Sequence, residues 1–222
     1  MTVRFGLWQT LGPAQLERSM KTRDTALVSI LLLAGTILTV AESWGQADPA
    51  WLRSWNEAQA SRPVSVESSG RIASKNEPGI PFIIYGRVFR PDAKPADGVV
   101  VHAYHRDNNG FEFGPNDNSL TTWKLQGWVE TDADGRFELR TIRPAPDHLG
   151  REGAHIHFTL ESSDFGRQWA PKVFLSDDPL VTADQRRRSK DAGKYGRVLE
   201  VQTADGVQHV DVRIRLKEEG DF

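Results

Sequence analysis

Two histidines, His155 and His157, sit two residues apart in the apolar run "GAHIHFTL" at 153–160. In a strand, residues two apart point the same way, about 6–7 Å apart at the backbone. Both rings then lie on one face, close enough to hold a single metal ion. A third histidine, His148, lies just upstream beside Asp147, and a three-histidine site suits zinc or copper. The chain has no cysteine. That excludes disulfides, thiolate-bound zinc, iron–sulfur clusters and thiol nucleophiles, so a metal here rests on nitrogen and oxygen donors. A formal net charge of −2 over 222 residues leaves no basic footprint for nucleic acid and suggests no polyanionic substrate.

Strands must position these histidines. "IPFIIYGRVF", "VVVHAYH", "WVETDADGRFELRTI", "AHIHFTLES" and "WAPKVFLS" follow one another from Ile80 onward. Asp134-Gly135 and Asp205-Gly206 each sit between alternating arms, the pattern of a hairpin. In the last arm Val210, Val212, Ile214 and Leu216 alternate with His209, Asp211, Arg213 and Arg215, one face core and the other water. The expected fold is all-β, an antiparallel β-sandwich with long site-forming loops. "DPAWLRSWNEAQASRP" predicts a short helix ahead of it, with Trp51 and Trp55 as packing residues, and a polar linker follows to residue 78. The sandwich domain is placed at 79–222. Arg186, Arg187 and Arg188 read as a solvated loop. Trp123, Trp128 and Trp169 read as sandwich packing.

From Met20 the chain has Lys21 and Arg23, an apolar stretch Ala26 to Ala41, and small residues at Gly45 and Ala47. That order predicts a signal peptide within residues 1–47, with 1–19 as an extension and an exported mature chain; an N-terminal membrane anchor is the alternative. No stable membrane partner is expected after cleavage.

The ordered set "EPGIPFIIYGRVFRPDAKPADGVVVHAYHRDNNG", "TDADGRFELRTIRPAP", "AHIHF" and "VFLSDDP" resembles the catalytic domain of intradiol ring-cleavage dioxygenases, the protocatechuate and catechol dioxygenases. The resemblance runs from about Pro78 to Pro179. It implies a prealbumin-like sandwich and a non-haem iron held by two tyrosines and two histidines. The histidines carry over to His155 and His157. At the tyrosine positions this chain has Glu112, two residues after Gly110, and Asp147, after Pro146. Phe111 and Phe113 flank the first of these. The family's arginine before the first histidine is replaced by Glu152, with Arg151 beside it, and its glutamine by Pro171. Tyr104 stands in place of the pocket tryptophan.

The resemblance thus implies a metal held by His155, His157, Glu112 and Asp147. Tyr104, Arg151 and His102 would face a catechol-type aromatic diol, and Asp147 or His148 would take its phenolic proton. The ring would open between the hydroxyls with O2. Two imidazoles plus carboxylates suit Fe(II), Mn(II) or Zn(II). A second reading from the same residues is a non-catalytic binding module that keeps the fold and a histidine-based metal site.

Overall fold

Alternating apolar and polar residues build two five-stranded sheets whose apolar faces meet, in a computed structural model that describes residues 48–116 and 119–222. Sheet 1 contains β1 (Ser69–Arg71), β5 (Arg136–Ile142), β2 (Pro81–Phe89), β10 (Val207–Arg215) and β9 (Gln202–Ala204), in that order. Sheet 2 runs β4 (Leu125–Glu130), β3 (Val100–His105), β6 (His155–Ser162), β7 (Gly166–Leu175), β8 (Val198–Leu199). Ile84, Val88, Leu139, Val210, Val212 and Ile214 come from sheet 1 and meet Val101, Ala103, Val129, Ile156, Phe158 and Leu160 from sheet 2. The core is the interior of a β-sandwich. The signal-peptide segment lies outside the described residues.

The sheets are mixed and not antiparallel throughout. Strand β2 runs antiparallel to β5 but parallel to β10. Strand β10 enters sheet 1 from the hairpin with β9 and not from a hairpin with β2, which fixes its direction. That hairpin turns at Asp205 (φ 51°) and Gly206 (φ 78°), the two left-handed residues of a type I′ turn.

Asp134-Gly135 turns the chain without making a hairpin. Asp132 Oδ1 accepts from the backbone N–H of Asp134 and Arg136, but β4 and β5 enter different sheets. Val129 and Leu139 then reach the core from opposite sides. The presumed linker also contributes β1, a parallel edge strand on β5.

Among the described residues two α-helices flank the sandwich. Helix α1 (Pro49–Ala60) starts at Asp48, whose carboxylate accepts from the Ala50 N–H, with Pro49 pre-set for the first turn. Helix α2 (Ala183–Asp191) replaces the expected arginine-rich loop. Thr182 and Gln185 form a reciprocal capping box, which starts a helix even without an apolar stripe. Arg187 and Arg188 pair with Asp184 on its surface. Among the described residues no helix is long and apolar enough to cross a membrane.

Candidate metal centre

Strand β6 sends Ile156, Phe158 and Leu160 into the core, so His155 and His157 share its outer face. Their Nε2 atoms lie 2.9 Å apart. Opposite His157, β7 carries an extra residue: Ile156 pairs with Val173, but Phe158 pairs with Ala170. Such a bulge bends the strand and re-aims side chains, and Pro171 and Lys172 occupy it. On the other side of β6, Tyr104 of β3 pairs with His157, and their rings are parallel within 3° at 4.6 Å.

Glu112 comes from the loop after β3. Its carboxylate and the two imidazoles place one ligand atom each within 4.8 Å of one another, with Glu112 Oε1 3.9 Å from His157 Nε2. Asp107 organises this loop. Its Oδ1 accepts from Asn109 and Phe111 N–H, and Lys124 bonds its Oδ2. Gly110 (φ 85°) lets the loop approach the segment before β6, since a Cβ there would lie 2.4 Å from the Pro146 carbonyl oxygen.

These three residues fit a metal. His155 Nδ1–H donates to the Gly153 carbonyl at 2.7 Å, which leaves Nε2 with its lone pair facing the site. Burial pushes the His155 imidazole down to about 4. Burial first, then the neighbouring His155, pushes His157 well below its usual value. Both rings are therefore neutral at pH 7, the state a metal requires. Two nitrogens that share one ion at about 2.1 Å can lie no more than about 4.2 Å apart, and the Nε2 atoms, 2.9 Å apart, are close enough. Two histidines and one carboxylate form the donor set of non-haem Fe(II) oxygenases.

Two of the charges around this group, Arg106 and Lys172, come from residues that sequence reasoning missed. Arg106 Nη2 lies 3.1 Å from Glu112 Oε1, and its Nη1 lies 3.5 Å from His155 Nε2 and 3.8 Å from Glu152 Oε2. Lys172 Nζ donates to Glu152 Oε1 at 2.7 Å. Burial works to raise the Glu152 pKa, but the Lys172 hydrogen bond and the nearby His155 and Arg106 hold it below the usual carboxylate value. A signal for Arg106 existed. Residues 102, 104 and 106 alternate onto the face that His157 shares, which extends the strand pattern by one position.

Asp147 is not brought into the cluster. Its Oδ1 accepts from the Leu149 and Arg151 N–H groups and so closes its own turn. The Arg151 bond comes first among the causes that keep its pKa low. An aspartate after proline has done ordinary turn chemistry here. His148 is exposed and stacks on Phe111 at 4.6 Å, outside the grouped donors. Arg151 is exposed, and the cation at the site is Arg106 instead. His102 is buried against Trp128, with Nε2 bonded to Gln126 and Nδ1 to Thr159. Its surroundings are filled by its own layer. The Tyr104 hydroxyl accepts from Trp51 Nε1 at 2.9 Å, and burial holds its phenol well above the usual value. Tyr85 packs beside His209 and Tyr195 beside Phe89.

Residues 61–213 match the family model described as Dioxygenase. The chain belongs to the intradiol dioxygenase family. Among curated relatives, catechol 1,2-dioxygenase 1 of Acinetobacter lwoffii is 35% identical over 122 residues, covering 47% of this chain and 39% of that protein. Catechol 1,2-dioxygenase 2 of the same organism is 29% identical over 141 residues, covering 56% and 50%. The chain therefore spans half or less of the length of these two relatives. Catechol 1,2-dioxygenase from Acinetobacter sp. ADP1, solved with inhibitory mercury bound, superposes with a TM-score of 0.52 at 19% identity, covering 94% of this chain and 85% of that one. The dioxygenase domain of a Streptomyces dioxygenase–carbohydrate-binding fusion gives 0.50 at 23% identity, covering 70% and 93%. These two share the fold.

Proposed function

We propose that this chain is a metal-dependent oxygenase that opens the ring of a catechol-type diol with O2, using a centre held by His155, His157 and Glu112. The observation that carries this reading is the 2.9 Å separation of the two Nε2 atoms with the Glu112 carboxylate beside them, on a chain of the intradiol dioxygenase family. Iron suits both the donor set and the family; Mn(II), Zn(II) or Cu(II) would also bind nitrogen and oxygen donors. A bound iron would lower the pKa of the diol's hydroxyls and exchange electrons between the ring and O2.

The chain's own residues do the rest. Gly153 holds the His155 ring, Tyr104 backs the His157 ring, and Arg106 is ion-paired with the Glu112 carboxylate. Glu152, ionised and held through its other oxygen by Lys172, is the carboxylate that accepts a phenolic proton. It takes the role expected of Asp147 or His148. One O2 is consumed per ring opened, and both oxygen atoms end in the two carboxylates of the product.

We further read residues 1–47 as an export signal; support comes from the basic, apolar and small-residue order of Lys21 to Ala47. The native protein would then begin near Asp48.

The test is to purify the protein without added metal, load it anaerobically with Fe(II), and follow O2 uptake and dicarboxylate formation with catechol. Stoichiometric uptake and ring opening support the oxygenase. Saturable catechol binding with no O2 uptake supports the binding module instead.

A further inference from the structure

The two stretches flanking the family-matched region, 48–60 and 214–222, come together over the His157 side of the centre. Helix α1 supplies Trp51, whose indole N–H donates to the Tyr104 hydroxyl at 2.9 Å. The Tyr104 ring lies parallel to that of His157 on one side and stacks on Trp123 at 3.8 Å on the other. Phe222 meets the Trp51, Trp55 and Trp169 rings at 5.4, 5.3 and 4.6 Å. Asp221 anchors this stretch by accepting from the Trp169 N–H and donating its own N–H to the Arg167 carbonyl. An unbroken set of contacts thus runs from Phe222 through Trp51 and Tyr104 to the His157 ring.

We propose that Trp51 is a positioning residue for the metal centre, acting through Tyr104 to fix the ring plane of His157. The proposal rests on the metal-site reading above. A histidine on a strand keeps freedom about its terminal torsion, which is broad and roughly two-fold. His155 loses that freedom through its bond to Gly153. For His157 the face of Tyr104 does this work. A stacked ring holds its neighbour only as firmly as it is itself held, and Tyr104 has one hydroxyl with one indole donor on it. Partners that orient a ligand from outside the metal's own contacts are commonly worth about tenfold or more in metal affinity.

The cluster contains its own control. Trp55 lies in the same helix, stacks on Trp51 and shares the Phe222 ring with it, yet its Nε1 is buried with no hydrogen-bond partner. Trp55→Phe therefore removes indole area without removing a bond, whereas Trp51→Phe removes the bond to Tyr104.

Fe(II) and Zn(II) affinities of the full mature chain are measured by competition with a chelating dye for the unaltered protein, Trp51→Phe, Tyr104→Phe, the double variant and Trp55→Phe, alongside melting curves. Expected are about tenfold weaker metal binding for Trp51→Phe, a similar loss for Tyr104→Phe, no further loss in the double variant, and unchanged affinity for Trp55→Phe. Equal affinity in Trp51→Phe and the unaltered protein, with only the melting temperature lowered, overturns the proposal and leaves the metal site standing. Failure of the unaltered protein to bind either metal overturns the site reading itself.

Discussion

Arg106 and Glu112 form an ion pair, Nη2 to Oε1 3.1 Å, between side chains only 15% and 22% exposed. The same carboxylate is the oxygen donor among the three side chains that could hold a metal ion. On the proposed reading Arg106 and a bound metal would share Glu112, and a cation this close repels a second one. Arg106→Gln should bind divalent metal several-fold more tightly. The metal-free variant should be less stable by about 1–2 kcal/mol, because it removes the Arg106 ion pair from a carboxylate only 22% exposed. Metal titration and urea unfolding of the two proteins check both signs; weaker metal binding would mean that Arg106 only props Glu112 in place.

His102 and His105 give a pH prediction independent of the metal. Both are buried, and burial, the first cause in each case, pushes both down to about 4 from the usual 6.5. His105 is neutral and bonded on both sides, Nδ1–H to the Arg106 carbonyl and Nε2 to the Thr141 hydroxyl. The folded state binds fewer protons than the unfolded chain between the two values, so stability rises with pH across that window. It is full above about pH 6.5 and falls as the pH drops toward 4, at up to about 3 kcal/mol per histidine. Histidine ring resonances followed by NMR from pH 7.5 to 4.5 should show these two rings still neutral at pH 5.5. A midpoint near 6.5 for either would contradict its burial.

Gly110 joins the two loops that make the site. Gly110→Ala meets both a left-handed backbone (φ 85°) and a Cβ position 2.4 Å from the Pro146 carbonyl oxygen. A loss of at least about 2 kcal/mol in stability is expected from the strain and the clash, with metal affinity reduced as Glu112 shifts. Unfolding curves and metal titration measure the two effects. An unchanged metal affinity would show that Glu112 is placed independently of this turn.

The alternation in β6 made the histidine face legible from sequence, because Ile156, Phe158 and Leu160 leave only one side for His155 and His157. The turn at Asp205-Gly206 was equally legible, since its two left-handed residues admit few others. Asp134-Gly135 looked the same, yet its arms part into two sheets. Alternation tells which residues point inward, not which sheet they point from. The parallel pairing of β2 with β10 is set by long-range closure and leaves no local mark. Thr182 and Gln185 did carry a capping signal for α2, masked by the absence of an apolar stripe. At the site, Asp147 and Glu112 looked alike as carboxylates replacing tyrosines. Only the fold shows that one closes its own turn while the other reaches the histidines. Lys172 owes its place to the bulge opposite His157, which no spacing rule announces.

The proposed ligand set also predicts the colour of the loaded protein. Phenolate bound to ferric iron absorbs visible light by charge transfer, whereas imidazole and carboxylate on a divalent metal have no comparable band. The Tyr104 hydroxyl is bonded to Trp51, and Tyr85 and Tyr195 pack elsewhere. The protein loaded with Fe(II), Mn(II) or Zn(II) and free of substrate should therefore be essentially colourless in a visible spectrum. A strong band abolished by Tyr104→Phe would place that phenol on the metal.

Metal content of the histidine variants tests the centre most directly. The sandwich core is apolar and separate from the site, so His155→Ala and His157→Ala should fold, as circular dichroism and melting curves would show. Elemental analysis after purification without added metal, and again after loading with Fe(II), should find about one metal per chain in the unaltered protein. Each variant should then hold little or none. Full occupancy in both folded variants would contradict a metal centre at His155 and His157.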